Sequence, residues 1–495
     1  MAWQQIYDPF NNLVISTLLA AIAVVVMLVC LGFLHLKAHI AAGLGLLAAI
    51  AVAVLAHGMP MDMAGRAAVY GGFTGLLPIG WTVPNIIFLQ QLAEQNGSFK
   101  ILQDSLSSIT ADRRLQLLLI AFCFGAFFED AAGFGTPVAV TAGILTGLGF
   151  LPLAASGLSL TANTAPAAFG ALGTPVITLA KVHGHDLMQV TAMIGRQLPF
   201  FSLLVPFWLI WAFAGRRAML EIWPAILVTG LSFAIPQFLV SNFIGPELVD
   251  IIAALVSLAC LVLFLRLWQP KEIWTSPSMK GKDISAHEAK PPAPLVRHDR
   301  AALLRAWTPW VILSVFVFVW GLPPVKAWLN SIFAPAFPMA GLHNLVEKMP
   351  PVVRVPTKEG AVHVLGIMSA TGTGTLLSAV LSALVMKYKP LDIARTFLHT
   401  LWLVRYSLLT IVLMLALGTV TRYSGTDTTL GLAFANSGVF YPFFGTLMGW
   451  IGVAMTGSDT ASNVLFGGMQ KVAAEQLGLS PNLMGAANSS GGVMG

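Results

Sequence analysis

Residues 122–137 read FCFGAFFEDAAGFGTP, an apolar run that meets two adjacent carboxylates, Glu129 and Asp130, and then breaks into glycine. The chain around it is too apolar for a soluble domain. Of its 495 residues 57% are hydrophobic and only 10% charged, against roughly 25% charged in ordinary globular proteins. Apolar windows of about 20 residues recur, each long enough to cross a hydrocarbon core of about 30 Å. The sequence therefore predicts an all-α polytopic membrane protein, and places its two acids where a carboxylate is costly.

Candidate spans fall at 13–34, 38–56, 67–90, 115–128, 131–150, 153–180, 192–214, 221–242, 246–268, 303–322, 361–386, 399–420 and 441–456, which gives about 12–14 transmembrane helices. Those at 131–150, 153–180 and 361–386 are crowded with Gly, Thr, Ser, Asn and Pro. Non-helical backbone at membrane depth survives only inside protein or against a watery cavity. These segments are expected to be broken helices or re-entrant hairpins.

Residues 269–305 are different in kind, rich in Lys, Arg and Pro, and read as a flexible cytoplasmic linker. They divide the chain into an N-terminal membrane half, 1–268, and a C-terminal membrane half, 306–495. Counting crossings outward from the linker puts Lys37, Lys100, Arg113, Arg114, Arg216, Arg217, Lys387, Lys389 and Arg395 on the same inner side, provided 131–150 crosses once. Arg66, the loop at 323–360 and the N-terminus then lie outside. The net charge of +6 is thus an orientation signal rather than a nucleic-acid footprint. Cys30, Cys123 and Cys260 lie far apart in apolar runs and suggest neither disulfides nor zinc. His183 and His185, in KVHGHD, are expected in a solvated outer loop, so no metal and no cofactor is expected.

A second stretch resembles the first. At 453–464 the chain reads VAMTGSDTASNV, with Asp459 in a similar setting. After Glu129-Asp130 come LGFLP (148–152) and TANTAPAAFG (161–170); after Asp459 come LGLSP (477–481) and AANSSGGVMG (486–495). Asp130 precedes Asn163 by 33 residues and Asp459 precedes Asn488 by 29. The order acid, Leu-Gly-x-x-Pro, Ala-Asn-(Thr/Ser) occurs twice, in half-sites at 129–175 and 457–495. By the crossing count the helices before the two acids run in opposite directions, so the repeats are inverted. Secondary transporters built this way hold solute at the repeat interface near the midplane, where broken helices expose N–H groups and dipoles. Close helix packing explains any one of the small residues equally well; the paired order favours a binding role.

Burial favours the neutral, proton-carrying form of a carboxylate, and adjacency of two disfavours charging both. Glu129, Asp130 and Asp459 are therefore candidates for proton binding, with helix capping at the membrane edge as the plainer alternative. Arg405, inside the apolar LHTLWLVRYSLLTI, has the guanidinium to grip a carboxylate. Pairing with a buried acid or reaching for the inner surface are its other readings. Phosphate-loop, HExxH and GxSxG signatures are absent. Nor is any polar stretch long enough for a nucleotide domain, which leaves an ion gradient as the energy source, or none.

The segments FFEDAAGFGTPVAVTAGILTGLGF (127–150), TANTAPAAFGALGTPV (161–176), GSDTASNVLFGGMQ (457–470) and AANSSGG (486–492), with the opening MAWQQIYDPFNNLVISTLLAAIAV, resemble the bacterial L-lactate permease family. The resemblance covers essentially the whole chain. It implies an inner-membrane symporter that brings L-lactate, and often D-lactate and glycolate, inward with a proton. It also implies membership of a wider ion-transporter group with inverted repeats, re-entrant hairpins and elevator-type movement. On that footing Asn163, Thr164, Asn488, Ser489 and Ser490 are expected to line the substrate site, with Arg405 on the substrate carboxylate. A sodium-coupled carboxylate transporter and an anion channel are the competing expectations. The chain stops at Gly495 inside the second Asn-Ser motif, where the first copy continues; a truncated chain is the expectation from that departure.

Overall fold

The computed structural model describes residues 2–131, 136–275 and 298–495. Most of the proposed linker, and the glycine-rich residues after the first acid pair, lie outside the described residues. Among those described, nine helices are long and apolar enough to cross a membrane: Leu13–Gly32, Ala38–Leu55, Met61–Gln95, Leu187–Glu221, Trp223–Phe243, Pro246–Leu267, Arg300–Gly321, Pro390–Ser424 and Gly438–Thr456. Two shorter apolar helices, Pro137–Gly147 and Thr371–Val385, join them. The chain is a multi-pass helical membrane protein.

Local chemistry sets where these helices start and bend. Asn12 caps the first, its Oδ1 accepting from the N–H groups of Val14 (3.1 Å) and Ile15 (3.3 Å). The helix Met61–Gln95 is interrupted by a wide turn over Gly75–Gly80, where Leu77 is extended at φ −135° and ψ 121°, and by Pro84. A second wide turn, Leu118–Phe124, lies just before the acid pair. Such bulges use up one hydrogen bond of the ladder and re-aim the residues that follow.

The expected span at 361–386 is corrected. Its first part forms the strand Val362–Val364, paired antiparallel with Ala336–Pro338, and helix begins only at Thr371. Nearby Trp3–Gln4 pairs parallel with Val346–Glu347, and Val346–Lys348 pairs antiparallel with Thr357–Glu359. These small sheets hold the N-terminus and the loop before Thr371 on one side of the bundle. On the other side Arg114, 1% exposed, binds Asp112 (2.8 Å), Glu221 (2.9 Å) and the carbonyls of Ala218 and Glu272. The described start of the linker is therefore docked: Trp274 donates its N–H to Asp112 and accepts from Arg113.

The segment at 153–180 is broken, as expected. Helix Pro152–Asn163 stops in a turn, and helix Gly170–His183 begins with Ala171, Leu172 and Gly173 all left-handed, at φ 50°, 56° and 72°. Each such non-glycine residue costs about 1–2 kcal/mol, so something must hold the turn in place. The helix end bearing Glu129 is anchored by an aromatic cluster: Phe128 packs 4.9 Å from Phe99 and 5.2 Å from Trp310, centroid to centroid. Rings at these distances add directional attraction to their buried area.

Candidate functional site

Asp130 is what holds the left-handed turn. Fully buried, it accepts from the Leu172 N–H through Oδ1 (2.8 Å) and from the Ile251 N–H through Oδ2 (2.9 Å). One carboxylate thus ties the kinked helix Gly170–His183 to the first turn of the span ending at Leu267. Its neighbour Glu129 points elsewhere. It lines a cavity of about 480 Å³, inside the roughly 300–1,000 Å³ range of small-molecule sites. Its Oε2 is buried with no hydrogen-bond partner among the described residues, and the Asn163 amide lies beside the carboxylate. A Cβ at position 170 would collide with Glu129, so any larger residue there would force the carboxylate side chain to move.

The same cavity is lined by Ser458, Asp459 and Thr460 from the second half-site. Asp459 begins the helix Asp459–Gln476, behind Ser458, whose Oγ accepts from the Ala461 N–H at 3.3 Å. Asp459 Oδ2 accepts from Ser489 Oγ (2.5 Å) and Asn463 Nδ2 (3.1 Å). Its Oδ1 is buried and lacks a partner among the described residues, and a Cβ at position 492 would strike it. Each half-site therefore contributes one carboxylate residue to the lining of a common space, and each keeps one buried oxygen without a partner among the described residues, with a glycine packed against the side chain. Asn163 and Thr164 complete the lining from the first half, and Ser407, Thr410 and Met414 from the helix Pro390–Ser424.

The remaining expected residues lie behind or outside this wall. Asn488 is fully buried; its Nδ2 donates to Asn463 Oδ1 (2.9 Å) and its Oδ1 accepts from Gln470 Nε2 (3.3 Å). Ser489 touches the cavity only through Asp459. Ser490 is 7% exposed, its hydroxyl without a partner among the described residues. None of the three is among the lining residues. Arg405 is not among them either. Its guanidinium lies over the rings of Trp402 (3.8 Å) and Tyr406 (4.4 Å) on its own helix and donates to the Trp402 carbonyl.

His183 corrects another expectation. It is 1% exposed rather than solvated, because the kinked helix continues to it and packs its ring against Gly485 and Gly467. Two acids that the sequence reading does not single out are also buried. Asp250 is fully buried beside Asp130, with the Gln237 amide next to its carboxylate. Asp427 is 7% exposed with Oδ2 unpartnered among the described residues. An acid inside an apolar window is the signal that points to both, but each follows a glycine turn and reads as a span edge.

Comparison with known proteins finds relatives along the whole chain. Residues 16–495 match the family described as L-lactate permease. An L-lactate permease of Salmonella typhimurium is 44% identical over 502 residues, covering 100% of this chain and 90% of the relative. The glycolate permease GlcA of Escherichia coli is 45% identical over 508 residues with the same coverage. An L-lactate permease of Bacillus subtilis is 42% identical over 517 residues, again covering 100% of this chain and 90% of the relative.

Proposed function

The chain belongs to the L-lactate permease family, and we propose that it is a secondary transporter of small 2-hydroxy monocarboxylates: L-lactate, with D-lactate and glycolate. Transport runs inward with a proton across the bacterial inner membrane. The observation that carries this reading is the shared cavity lined by Glu129 and Asp459, each of which keeps one buried carboxylate oxygen without a partner among the described residues.

The coupling follows from charge. Two like charges about 4 Å apart cost about 4 kcal/mol at an effective dielectric of about 20. A carboxylate substrate therefore enters readily only when the cavity acids carry protons. A protonated Glu129 or Asp459 also gains an O–H that can donate to the substrate carboxylate. Proton and substrate thus each favour the other's binding, which is what symport needs. Asn163, Thr164, Ser458 and Thr460 supply donors and acceptors for the carboxylate and the 2-hydroxyl. Asp130 acts behind them as the residue that positions the kinked helix. Ser489 and Asn488 act likewise on Asp459, directly and through Asn463. Arg405 reaches a substrate only in a conformation where Trp402 and Tyr406 release it. The two half-sites, 129–175 and 457–495, are read as inverted repeats that move together against the rest of the bundle, in elevator fashion.

The test is labelled L-lactate uptake into proteoliposomes, acid outside, in sodium-free buffer. Accumulation above equilibrium that a protonophore abolishes is expected. A requirement for sodium instead would assign the free carboxylate oxygens to that ion, and passive equilibration alone would mean a channel.

A further inference from the structure

Beyond the central cavity, the kinked helix Gly170–His183 borders a second space. Gly170, Ala171 and Pro175 line the central cavity, whereas Thr174, Ile177 and Lys181 line a separate one of about 330 Å³. Steps of three and four residues put those last three on one helical face. A further cavity of about 280 Å³ shares Leu77, Lys181 and Val364 with it. The two adjoin at Lys181 and form one vestibule. Leu415 lines both the vestibule and the central cavity, so the two spaces share a wall at this leucine, beside the kinked helix.

The vestibule and the central cavity reach opposite sides of the bundle. The central cavity reaches Leu31 and Ala38, at the end of the first span and the start of the second. The vestibule is bounded by the strand Val362–Val364. That strand belongs to the side where Trp3–Gln4 pairs with Val346–Glu347, at the far end of the first span. By the distribution of Lys and Arg, this sheet-bearing side is the outer one.

The charges in the vestibule do not cancel. Lys326 pairs with Glu247 at 2.7 Å. Arg422 and Lys348 share one carboxylate, Glu359, at 2.6 and 3.4 Å. Lys181 is half-buried and has no carboxylate partner among the described residues. His363, in the bordering strand, is held below its ordinary range by burial first and by the Lys181 charge second. A half-buried ammonium without a counter-charge is costly and is relieved by a small anion. Its compact, rotatable donors suit a carboxylate that must be caught and then released.

We propose that Lys181 forms an outer anion-binding station for small monocarboxylates, distinct from the central cavity and separated from it by the kinked helix and Leu415. The identity of the anion rests on the transport reading above; the site itself does not. Substrate arriving from outside is concentrated at Lys181 and passes to Glu129 and Asp459 when the wall moves.

The experiment places a reporter cysteine at Ile177 in the full chain and follows its modification by a membrane-impermeant thiol reagent, with the unsubstituted chain as control for Cys30, Cys123 and Cys260. Modification from the sheet-bearing side is expected, slowed severalfold by L-lactate. The slowing should vanish when Lys181→Gln is added and persist with Lys181→Arg. In transport, Lys181→Gln should raise the half-saturating lactate concentration for uptake severalfold, and lower the ratio of maximal rate to half-saturating concentration for efflux by the same factor, since both directions share one equilibrium. Protection that survives Lys181→Gln, or lactate transport without any protection, overturns the proposal. Equal protection by chloride overturns the carboxylate assignment. A chain that moves no lactate but shows Lys181-dependent protection keeps the station and removes the transport reading instead.

Discussion

Glu129 and Asp130 are neighbours in sequence, yet one faces a cavity and the other is wrapped by backbone N–H groups. In the second half-site Asp459 does both things with one carboxylate: the residue lines the cavity with Oδ1 unpartnered among the described residues, while Oδ2 is held by Ser489 and Asn463. On the proposed reading the first half separates structural and chemical duties between two acids, and the second combines them. The cause is local. The first half contains a strained left-handed turn that needs a fixed acceptor, whereas the helix Asp459–Gln476 begins normally behind the Ser458 cap.

The largest effect that this contrast predicts is at Asp130. Asp130→Asn keeps the shape but offers an amide N–H₂ to one of two buried N–H donors. Leaving such a donor unpaired, with a charge-assisted bond lost, costs on the order of 3 kcal/mol. Thermal unfolding in detergent should fall sharply and uptake should disappear with the folded protein. A stable variant that transports without a proton requirement would make Asp130 the proton carrier and reverse the division of labour.

Next come the two cavity acids. Glu129→Gln should fold, lose proton-driven accumulation and retain lactate exchange down a gradient. Coupling energies between two ligands run to roughly 5–150-fold, and the loss should fall in that range. Asp459→Asn should do the same and also weaken lactate binding, since the amide disturbs the bonds from Ser489 and Asn463. Equal phenotypes would mean that the two half-sites are more alike than their hydrogen bonding suggests. Smaller again is Ser489→Ala, which removes one charge-assisted bond while leaving Asn463 in place. About 1.5 kcal/mol corresponds to roughly a tenfold rise in half-saturating lactate at most, measured by initial uptake rates.

These contrasts also show what sequence can convey. Polar residues inside apolar windows mark Glu129, Asn163, Thr164 and Asp459, and all four reach the cavity. The motif AANSSGG is equally visible, but whether Asn488 and Ser489 face solute or Asn463 and Asp459 depends on how helix Pro481–Gly492 is rotated, which short-range pattern does not encode. Asp250 and Asp427 follow turns at Gly245-Pro246 and Gly425, so composition places them at a span edge although packing buries them. The strand Val362–Val364 is three residues long, too short for its alternation to stand out against the apolar run that follows. Lys181 looks like the end of a helix entering a loop; only the folded chain shows the vestibule around it.

Arg405 offers the finest test of the comparison, because it is the cation that sequence reasoning sets against the substrate and the fold sets against Trp402 and Tyr406. Stacking of a guanidinium on aromatic rings at a partly exposed site contributes about 0.5–1 kcal/mol. Arg405→Gln should therefore lower stability slightly and change lactate uptake by less than about twofold, well within what one lost cation–π contact accounts for. If instead the half-saturating concentration climbs by orders of magnitude while the protein stays folded, Arg405 must leave its rings during the cycle. The substrate carboxylate would then be shared between a mobile guanidinium and the protonated acids of the two half-sites. Repeating the measurement with Trp402→Leu decides between these cases. Freeing Arg405 from its ring should tighten lactate binding if the guanidinium moves, and leave it unchanged if stacking is its whole role.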